Sequence, residues 1–422
     1  MLRRNTHPEH GLPLDRADAV LLGRTGAEEA LRHLSARPGY AATPVHVMPA
    51  LAESLGVTSV HVKDEGARFG LGSFKALGGA YAVARLVEEE AEARIGRALR
   101  ADELWGSAAR SVAQEMTFAC ATDGNHGRSV AWGAREAGAR AVIFVHGGVS
   151  DERVDAIARY GAEIRRVTGT YDDSVAEAAR VCEGEGWILL SDTSWPGYER
   201  VPGIVMQGYT ALMHEMVEQV PEAPTHLFVQ AGVGGLAAAM AAYLADAFSG
   251  HWPRVVVVEP ARAACLLESA RAGKRVQIAH GAPTVMAMLE CYEPSMVAWR
   301  ILARCADAFM TVGEDEAVAA MNRLARPSPG DPCIVAGESG GVGVAGLIAI
   351  ARDPAACEAL RLDAGARVWT IDTEGATDPA RYRELVGIDA TSLTTTVPDT
   401  HFSRVHHRDA RSNPGGERHE QD

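Results

Sequence analysis

The stretch GLGSFKALGG, residues 70–79, joins a glycine-punctuated loop to an apolar run that continues to residue 84. The apolar run predicts a buried helix that starts close to Lys75, so the stem of this lysine is held among apolar side chains. Burial disfavours an ammonium and lowers the pKa of an amine, and a neutral amine is what a Schiff base with a carbonyl cofactor requires. Lys75 is therefore a candidate reactive lysine. The alternative is a charged residue at a helix start.

Composition narrows the class of protein. The chain has 422 residues, of which 47% are hydrophobic and 23% charged, enough for two or three domains. A formal net charge of −14 argues against nucleic acid or an anionic membrane as the main partner. The seven cysteines are widely spread without a Cys-x-x-Cys pair, which predicts no disulfide framework and no metal site. We expect a small-molecule partner and a reducing, cytoplasmic location.

The ends of the chain and its longest uncharged stretch are the segments where a targeting signal or a membrane span would lie. The basic residues 1–4 do not lead into an apolar run, so we expect no signal peptide. Residues 227–245 are uncharged, but three glycines in the first half divide them into a strand, a loop and a helix rather than a membrane span. The polar residues 396–422 predict a disordered tail.

Short apolar runs alternate with helical patterns along the chain. The strand candidates include residues 60–62, 141–145, 226–229, 255–258 and 367–371. Continuous apolar runs are typical of strands covered on both faces, and intervening helices imply parallel crossovers, which predicts an α/β fold with open sheets. From about residue 115 to 205 the pattern repeats on its own. We expect a smaller α/β domain, residues 91–204, inserted into a larger one formed by residues 1–90 and 205–395.

Two glycine clusters receive different interpretations. AGVGGL, residues 231–236, lies between a predicted strand and a helix, where backbone N–H groups and the positive helix end form a cradle for a phosphate. A structural turn is the alternative. Residues 341–346 formally contain Gly-x-Gly-x-x-Gly, but the preceding 333–336 is only a marginal strand and no acidic residue follows at the spacing of a ribose contact. Tight helix packing is the better interpretation of this second cluster.

Polar loops follow two further strands. Thr122-Asp123-Gly124-Asn125-His126-Gly127 ends a strand and opens a helix, and it offers amides for a substrate carboxylate and a carboxylate for proton transfer. The alternative is an Asx turn with a helix cap. Asp192 follows the apolar residues 187–190 at the carboxyl end of a strand, the edge where open α/β sheets bind ligands.

Taken together, these motifs resemble the tryptophan synthase β-like, fold type II family of pyridoxal phosphate enzymes. Residues 63–65 followed by 73–75 are similar to its lysine signature, residues 122–127 to its substrate-carboxylate loop, and residues 232–235 to its phosphate loop. The resemblance implies pyridoxal 5′-phosphate in a cleft between two open α/β domains.

Within that family, residues 40–388 are similar to the diaminopropionate ammonia-lyase group. The distinguishing segments are residues 68–71, 122–128, where related dehydratases lack the aspartate, 206–209, 337–340 and 373–378. The resemblance implies a carbon–nitrogen lyase that converts D- and/or L-2,3-diaminopropionate to pyruvate and ammonia by β-elimination. It also implies a homodimer.

The resemblance assigns roles to individual residues. Lys75 would carry the cofactor as an internal aldimine, Asn125 would face its 3′ oxygen and Thr373 its pyridine nitrogen. Asp123 would be the base for the D-isomer, and Lys75 or Asp192 the base for the L-isomer. The remaining assignments are Gly232, Val233, Gly234, Gly235 and Leu236 for the phosphate, and Thr122, Asp123, Gly124, His126 and Tyr171 for the substrate.

The chain departs from this pattern at residues 284–294. We expect small residues at positions 288, 290 and 292, and the sequence has Met288, Glu290 and Tyr292 instead. These side chains narrow the pocket or change its charge. The identity of the substrate amino acid is therefore less certain than the β-elimination reaction. Serine or threonine dehydration, replacement at Cβ, and a non-catalytic cofactor- or amino-acid-binding module stay open as alternatives.

Overall fold

The computed structural model describes residues 1–100, 103–122 and 124–393. Eleven strands lie in these residues: β1 Leu2–Arg4, β2 Val45–Val47, β3 Ser59–Asp64, β4 Thr117–Ala121, β5 Arg140–His146, β6 Glu163–Val167, β7 Ile188–Leu189, β8 His226–Gln230, β9 Arg254–Pro260, β10 Ala308–Val312 and β11 Arg367–Asp372.

The α-helices of the described residues are α1 Arg16–Leu22, α2 Arg24–Ser35, α3 Pro49–Leu55, α4 Lys75–Ile95, α5 Ser107–Ala113, α6 Asn125–Ala137, α7 Asp151–Ala158, α8 Tyr171–Glu185, α9 Arg200–Gln219, α10 Gly235–Ala247, α11 Cys265–Ala272, α12 Met296–Cys305, α13 Glu314–Ala325, α14 Val342–Ala351, α15 Pro354–Leu360, α16 Pro379–Val386 and α17 Ala390–Leu393. Single 3₁₀ turns cover Arg68–Gly70 and Ala287–Leu289. In this part of the chain no helix is both long and apolar enough to cross a membrane.

The strands form two sheets. One has seven strands in the order β1-β10-β9-β8-β11-β3-β2, and the other has four in the order β6-β5-β4-β7. Only the edge strands β1 and β2 pair antiparallel among these described strands; the remaining pairs are parallel. The predicted α/β fold with open, mainly parallel sheets is therefore confirmed.

All five strand candidates are strands, whereas β1, β2 and β10 were not predicted. Residues 333–336, the marginal strand candidate, lie outside every strand. The expectation of a disordered tail concerns residues 396–422, which lie outside the described residues.

The second glycine cluster packs a helix against the larger sheet, as predicted. Gly343 and Gly346 face the sheet from α14, and a Cβ atom at Gly343 would lie 2.5 Å from Oγ1 of Thr370. At Gly346 a Cβ atom would lie 2.6 Å from Cγ2 of Val258. Because such distances are too short for any side chain, these glycines permit the close approach of α14 to the strands.

Helices α4 and α6 interlock at a second close contact. A Cβ atom at Gly133 of α6 would lie 2.6 Å from the Cα atom of Ala80 on α4. One turn away, the N–H group of Ala80 donates to Oγ of Ser129 at 3.0 Å. The contact thus joins the helix that begins at Lys75 to the helix that begins at Asn125.

Buried ion pairs anchor the loop that precedes Lys75. The Arg68 guanidinium donates to Glu65 and to Glu215 of α9, each at 2.7 Å, and Lys63 of β3 donates to Glu215 at 2.7 Å. All four side chains are nearly inaccessible to water. Buried charges are tolerated when paired in this way, and removal of one partner leaves an uncompensated charge. The network therefore holds the start of the loop against β3 and α9.

Candidate active site

One cavity, of about 120 Å³, lies at the carboxyl ends of strands from both sheets. Every predicted site residue that the structure describes lines it: Lys75, Thr122, Gly124, Asn125, His126, Tyr171, Asp192, Gly232, Val233, Gly234, Gly235, Leu236 and Thr373. Asp123 lies outside the described residues. Ligand sites of open α/β sheets are found at this edge, so the cavity has the location expected of an active site.

Lys75 is the first residue of α4, and its amine forms an ion pair with the carboxylate of Asp192. The exposed fractions of the two side chains are 21% and 16%. Burial lowers the pKa of Lys75, but the adjacent Asp192 carboxylate outweighs burial and raises that pKa above its ordinary value. The expectation of a neutral lysine is therefore wrong for this arrangement, because the sequence did not reveal the carboxylate beside the amine.

Asp192 is held in its ionised form. Burial alone would raise the pKa of its carboxyl, but the Lys75 ammonium lowers that pKa far below its usual range. On His126, Nε2 lies 2.8 Å from the Leu190 carbonyl oxygen, which can only accept, so Nε2 carries the hydrogen. Burial lowers the pKa of His126, which favours the neutral ring. Its unprotonated Nδ1 then faces Asp192 Oδ2 at 3.9 Å.

The wall that carries Lys75 is held by backbone hydrogen bonds to the end of β11. The N–H group of Phe74 donates to the Thr373 carbonyl oxygen, and that of Gly375 to the Gly72 carbonyl oxygen, both at 3.0 Å. The Thr373 hydroxyl lines the cavity and accepts from Nε2 of Gln230 at 2.9 Å. Lys75 and Thr373 are thereby fixed relative to one another.

The glycine loop after β8 has the geometry of an anion site. Gly234 has φ +97°, a left-handed conformation that favours glycine, and a Cβ atom at Gly232 would lie 2.9 Å from Cys291 Sγ. Helix α10 begins at Gly235 with no side-chain cap, so its first N–H groups are available to a ligand. An anion such as a phosphate fits this loop, and a carbonyl fits the Lys75 amine on the same cavity.

Thr122 orders the loop that faces Lys75. Its Oγ1 accepts from the N–H groups of Gly124 and Gly127 at 3.0 and 3.1 Å. A Cβ atom at Gly127 would lie 2.2 Å from Cγ2 of Thr122, so a side chain there would displace the loop. Both glycine N–H groups are therefore satisfied by Thr122.

A second carboxyl group on this cavity, that of Glu374, was not predicted from the sequence. Glu374 lines the cavity and accepts from Nδ2 of Asn125 at 2.5 Å. Burial, with the charge of Glu338, raises the pKa of Glu374 to about 8. Glu338 lies 3.5 Å from the Arg153 guanidinium. Glu374 belongs to a segment already noted as distinctive, but its partners come from three other parts of the chain, so no local pattern predicts its state.

Tyr171 and the segment after α11 separate the inner cavity from an outer one of about 900 Å³. Tyr171 is the first residue of α8, and Thr170 caps that helix. Glu290 lines both cavities, and Met288 lines the inner one. These two non-small side chains therefore lie on the wall of the site. Within the described residues no group of His, Cys, Asp or Glu side chains is arranged to hold a metal ion.

Comparison with known proteins gives the family. The model of the pyridoxal-phosphate dependent enzyme family matches residues 36–374. Diaminopropionate ammonia-lyase of Escherichia coli K12 is 41% identical over 354 residues, which cover 82% of this chain and 88% of the relative. The namesake from Salmonella typhimurium is 38% identical over 382 residues, covering 87% and 93%.

A solved structure agrees with the sequence relatives. The crystal structure of diaminopropionate ammonia-lyase from E. coli in complex with D-serine superimposes with a TM-score of 0.83 at 36% identity, covering 92% of this chain and 96% of that one. The lysine, the uncapped glycine loop and these matches lead to one conclusion. The chain belongs to the family of pyridoxal-phosphate dependent enzymes.

Proposed function

We propose that the protein removes ammonia from D- and/or L-2,3-diaminopropionate by a pyridoxal phosphate-dependent β-elimination, giving pyruvate and a second ammonia. The observation that carries the proposal is the ion pair of Lys75 and Asp192 on the same cavity as an uncapped glycine loop. The identity of 41% to an E. coli enzyme of that name supports the choice of substrate.

Four groups would hold the cofactor. The Lys75 amine would bind it covalently, residues 232–236 its phosphate, Asn125 its ring oxygen and Thr373 its ring nitrogen. When bound, the cofactor withdraws electrons from the substrate's Cα and so acidifies the proton there. A hydroxyl at Thr373, in place of a carboxylate, leaves the ring nitrogen largely unprotonated.

Proton movements belong to the protein's own side chains. The Lys75 amine attacks a carbonyl only after it has lost its proton, and the ionised Asp192 holds and orients that amine on the cavity wall. The same two groups serve as the base for the α-proton of the L-isomer. The resemblance assigns Asp123 as the base for the D-isomer, whose α-proton leaves from the opposite face.

The first test is spectroscopic. The pure protein, reconstituted with pyridoxal 5′-phosphate, is expected to absorb at about 410–420 nm, and Lys75→Ala is expected to lose this band. A protein that stays colourless after reconstitution contradicts the cofactor assignment. Such a result would leave only a non-catalytic module.

The second test measures products. Ammonia and pyruvate release from D- and L-diaminopropionate is compared with release from serine and threonine. Faster turnover of serine or threonine would favour a dehydratase, and formation of β-substituted products would favour replacement chemistry. Unchanged D-isomer turnover in Asp123→Asn would contradict the assignment of that base.

We also propose a cytoplasmic homodimer whose subunit has a larger domain, residues 1–90 and 205–395, and a smaller one, residues 91–204. All strands of the four-stranded sheet fall within residues 117–189, and the strands of the other sheet fall outside them, which supports these bounds. None of the seven cysteines, all of which lie in the described residues, forms a disulfide, in keeping with a reducing compartment. Light scattering should give twice the chain mass of 44.8 kDa.

A further inference from the structure

Glu290 stands where the inner cavity meets the outer one. It follows the 3₁₀ turn Ala287–Leu289 and lines both spaces. A substrate that enters through the outer cavity passes this carboxylate before it reaches Lys75. The family resemblance predicts a small residue at this position, and this chain has a carboxylate instead.

Two neutral donors hold the Glu290 carboxylate. The Tyr292 hydroxyl donates to Oε1 at 2.8 Å, and the N–H group of Thr284 donates to Oε2 at 3.0 Å. The ring of His280 lies against Tyr292, with ring centroids 4.0 Å apart. The orientation of the carboxylate is thereby fixed, while each oxygen keeps a second lone pair for another partner.

The negative charge of Glu290 is not balanced by the cations of this wall. Arg275 lies 3.6 Å from Glu293, and Arg262 lies 3.7 Å from Glu314. Across the described part of the chain, no lysine, arginine or histidine forms an ion pair with Glu290. A half-buried carboxylate without a counter-ion, on the wall of a substrate cavity, is suited to bind a cation.

Diaminopropionate carries such a cation on Cβ, whereas serine and threonine carry a neutral hydroxyl there. Two ammonium groups on neighbouring carbons repel each other, which lowers the pKa of the second amine. A carboxylate beside that amine raises its pKa again and keeps it protonated. Protonation is required for the reaction, because the C–N bond then breaks with its electron pair on nitrogen and neutral ammonia leaves.

Met288 defines the other side of this subsite. A Cβ atom at Gly124 would lie 3.7 Å from Sδ of Met288, so the methionine reaches the loop that faces Lys75. Its backbone N–H group donates to Ser339 Oγ at 3.2 Å. Met288 therefore narrows the inner cavity beside this loop and limits the size of a group that Glu290 can bind.

We infer that Glu290 is a specificity-determining residue that binds an ammonium group on the substrate's Cβ and so selects β-cationic amino acids over β-hydroxy ones. The inference rests on the proposed function, since it names the group by which that site recognises its substrate.

The test compares substrates in the holoenzyme. Glu290→Gln keeps the size of the side chain and one acceptor oxygen, but removes the charge. For diaminopropionate, kcat/KM should fall about 10- to 100-fold, the range of one charge-assisted hydrogen bond, and for serine it should change less than about twofold. The high-pH limb of the diaminopropionate profile should also move to lower pH, because the β-amine loses its proton more readily.

Glu293→Gln is the matched control. It removes a glutamate three residues away whose charge Arg275 already balances, so the ratio of the two substrates should stay within about twofold of wild type. An equal loss for both substrates in Glu290→Gln, or an unchanged ratio, would overturn the inference in favour of a purely structural carboxylate.

A failure of the proposed function gives a different result. If the wild-type protein turns over serine or threonine but not diaminopropionate, the proposed reaction is wrong. In that case diaminopropionate is measured as a competitive inhibitor of the active substrate. A weaker inhibition constant in Glu290→Gln, by the same 10- to 100-fold, supports the cation subsite, and an unchanged constant overturns it.

Discussion

Asp192 and Glu374 line the same cavity, but the carboxyl group of Asp192 is ionised and that of Glu374 is neutral. Asp192 contacts the Lys75 ammonium, which keeps its pKa far below the usual range. Glu374 is buried near a second carboxyl, Glu338, and has a pKa of about 8. Environments that push the pKa values of two acids apart separate a base from a neutral hydrogen-bonding group. Of the two, Asp192 is therefore the ionised group at pH 7, and Glu374 is neutral.

The largest expected effect comes from Asp192→Asn, which removes the ionised member. Turnover of L-diaminopropionate should fall about 100- to 1,000-fold, the usual contribution of a positioned base. Burial then dominates at Lys75 and lowers its pKa, so the amine of the cofactor-free variant should react with an acylating reagent faster than wild type at neutral pH. A loss under about tenfold would show that Lys75 serves as the base without Asp192.

Glu374→Gln tests whether Glu374 is neutral, through the pH dependence of the free energy of unfolding. The pKa of this carboxyl is raised from 4.5 to about 8 in the folded protein, so its contribution to stability is present below pH 4.5 and is lost as pH rises towards 8. Between pH 6 and 9, urea unfolding of the cofactor-free wild type should show a loss of stability that exceeds the loss in the variant by about 2 kcal/mol.

Two comparisons isolate this effect. Glu259, whose pKa burial also raises to about 8, contributes the same pH dependence to wild type and variant and cancels in the difference. Glu358→Gln removes an exposed glutamate and should leave the wild-type pH dependence intact. Parallel curves for wild type and Glu374→Gln would show that Glu374 is already ionised at pH 6.

The smallest expected effect is that of Arg153→Gln, which changes the pKa difference between Asp192 and Glu374 without removing either acid. Arg153 lowers the pKa of Glu338 and of Glu374 through its charge, so its loss should raise both. The pH at which stability is lost should therefore move upward by less than about one unit. The same urea series measures this shift, and a downward movement would contradict the assigned direction.

The contrast between the two acids also marks what the sequence could reveal. Lys75, Asp192 and the loop at residues 232–236 were predicted because each lies at a strand or helix end marked by local glycines and apolar runs. The pKa of Glu374 depends on Asn125 and Glu338, which are distant from it in sequence. No local sequence pattern predicts that these three side chains lie together. The same limit explains Lys75, whose raised pKa depends on a carboxylate 117 residues away.

The fold shows a similar division. Buried parallel strands such as β8 and β9 carry continuous apolar runs and were predicted, while the three-residue edge strands β1 and β2 contain Arg and His and give no such signal. Strand β10, Ala308–Val312, is apolar and was overlooked although Gly313 marks its end. It could have been found by the same rule that found the others.

The contact of α4 with α6 has a consequence for how this enzyme can diverge. Gly133, Ala80 and Ser129 set the spacing between the helix that begins at Lys75 and the helix that begins at Asn125, and none of the three lines the cavity. The side chains of residues 288–292, on the cavity wall, belong to a separate segment. Selection can therefore exchange side chains on that wall and retarget the enzyme to new amino acids, while the two helices conserve the chemistry.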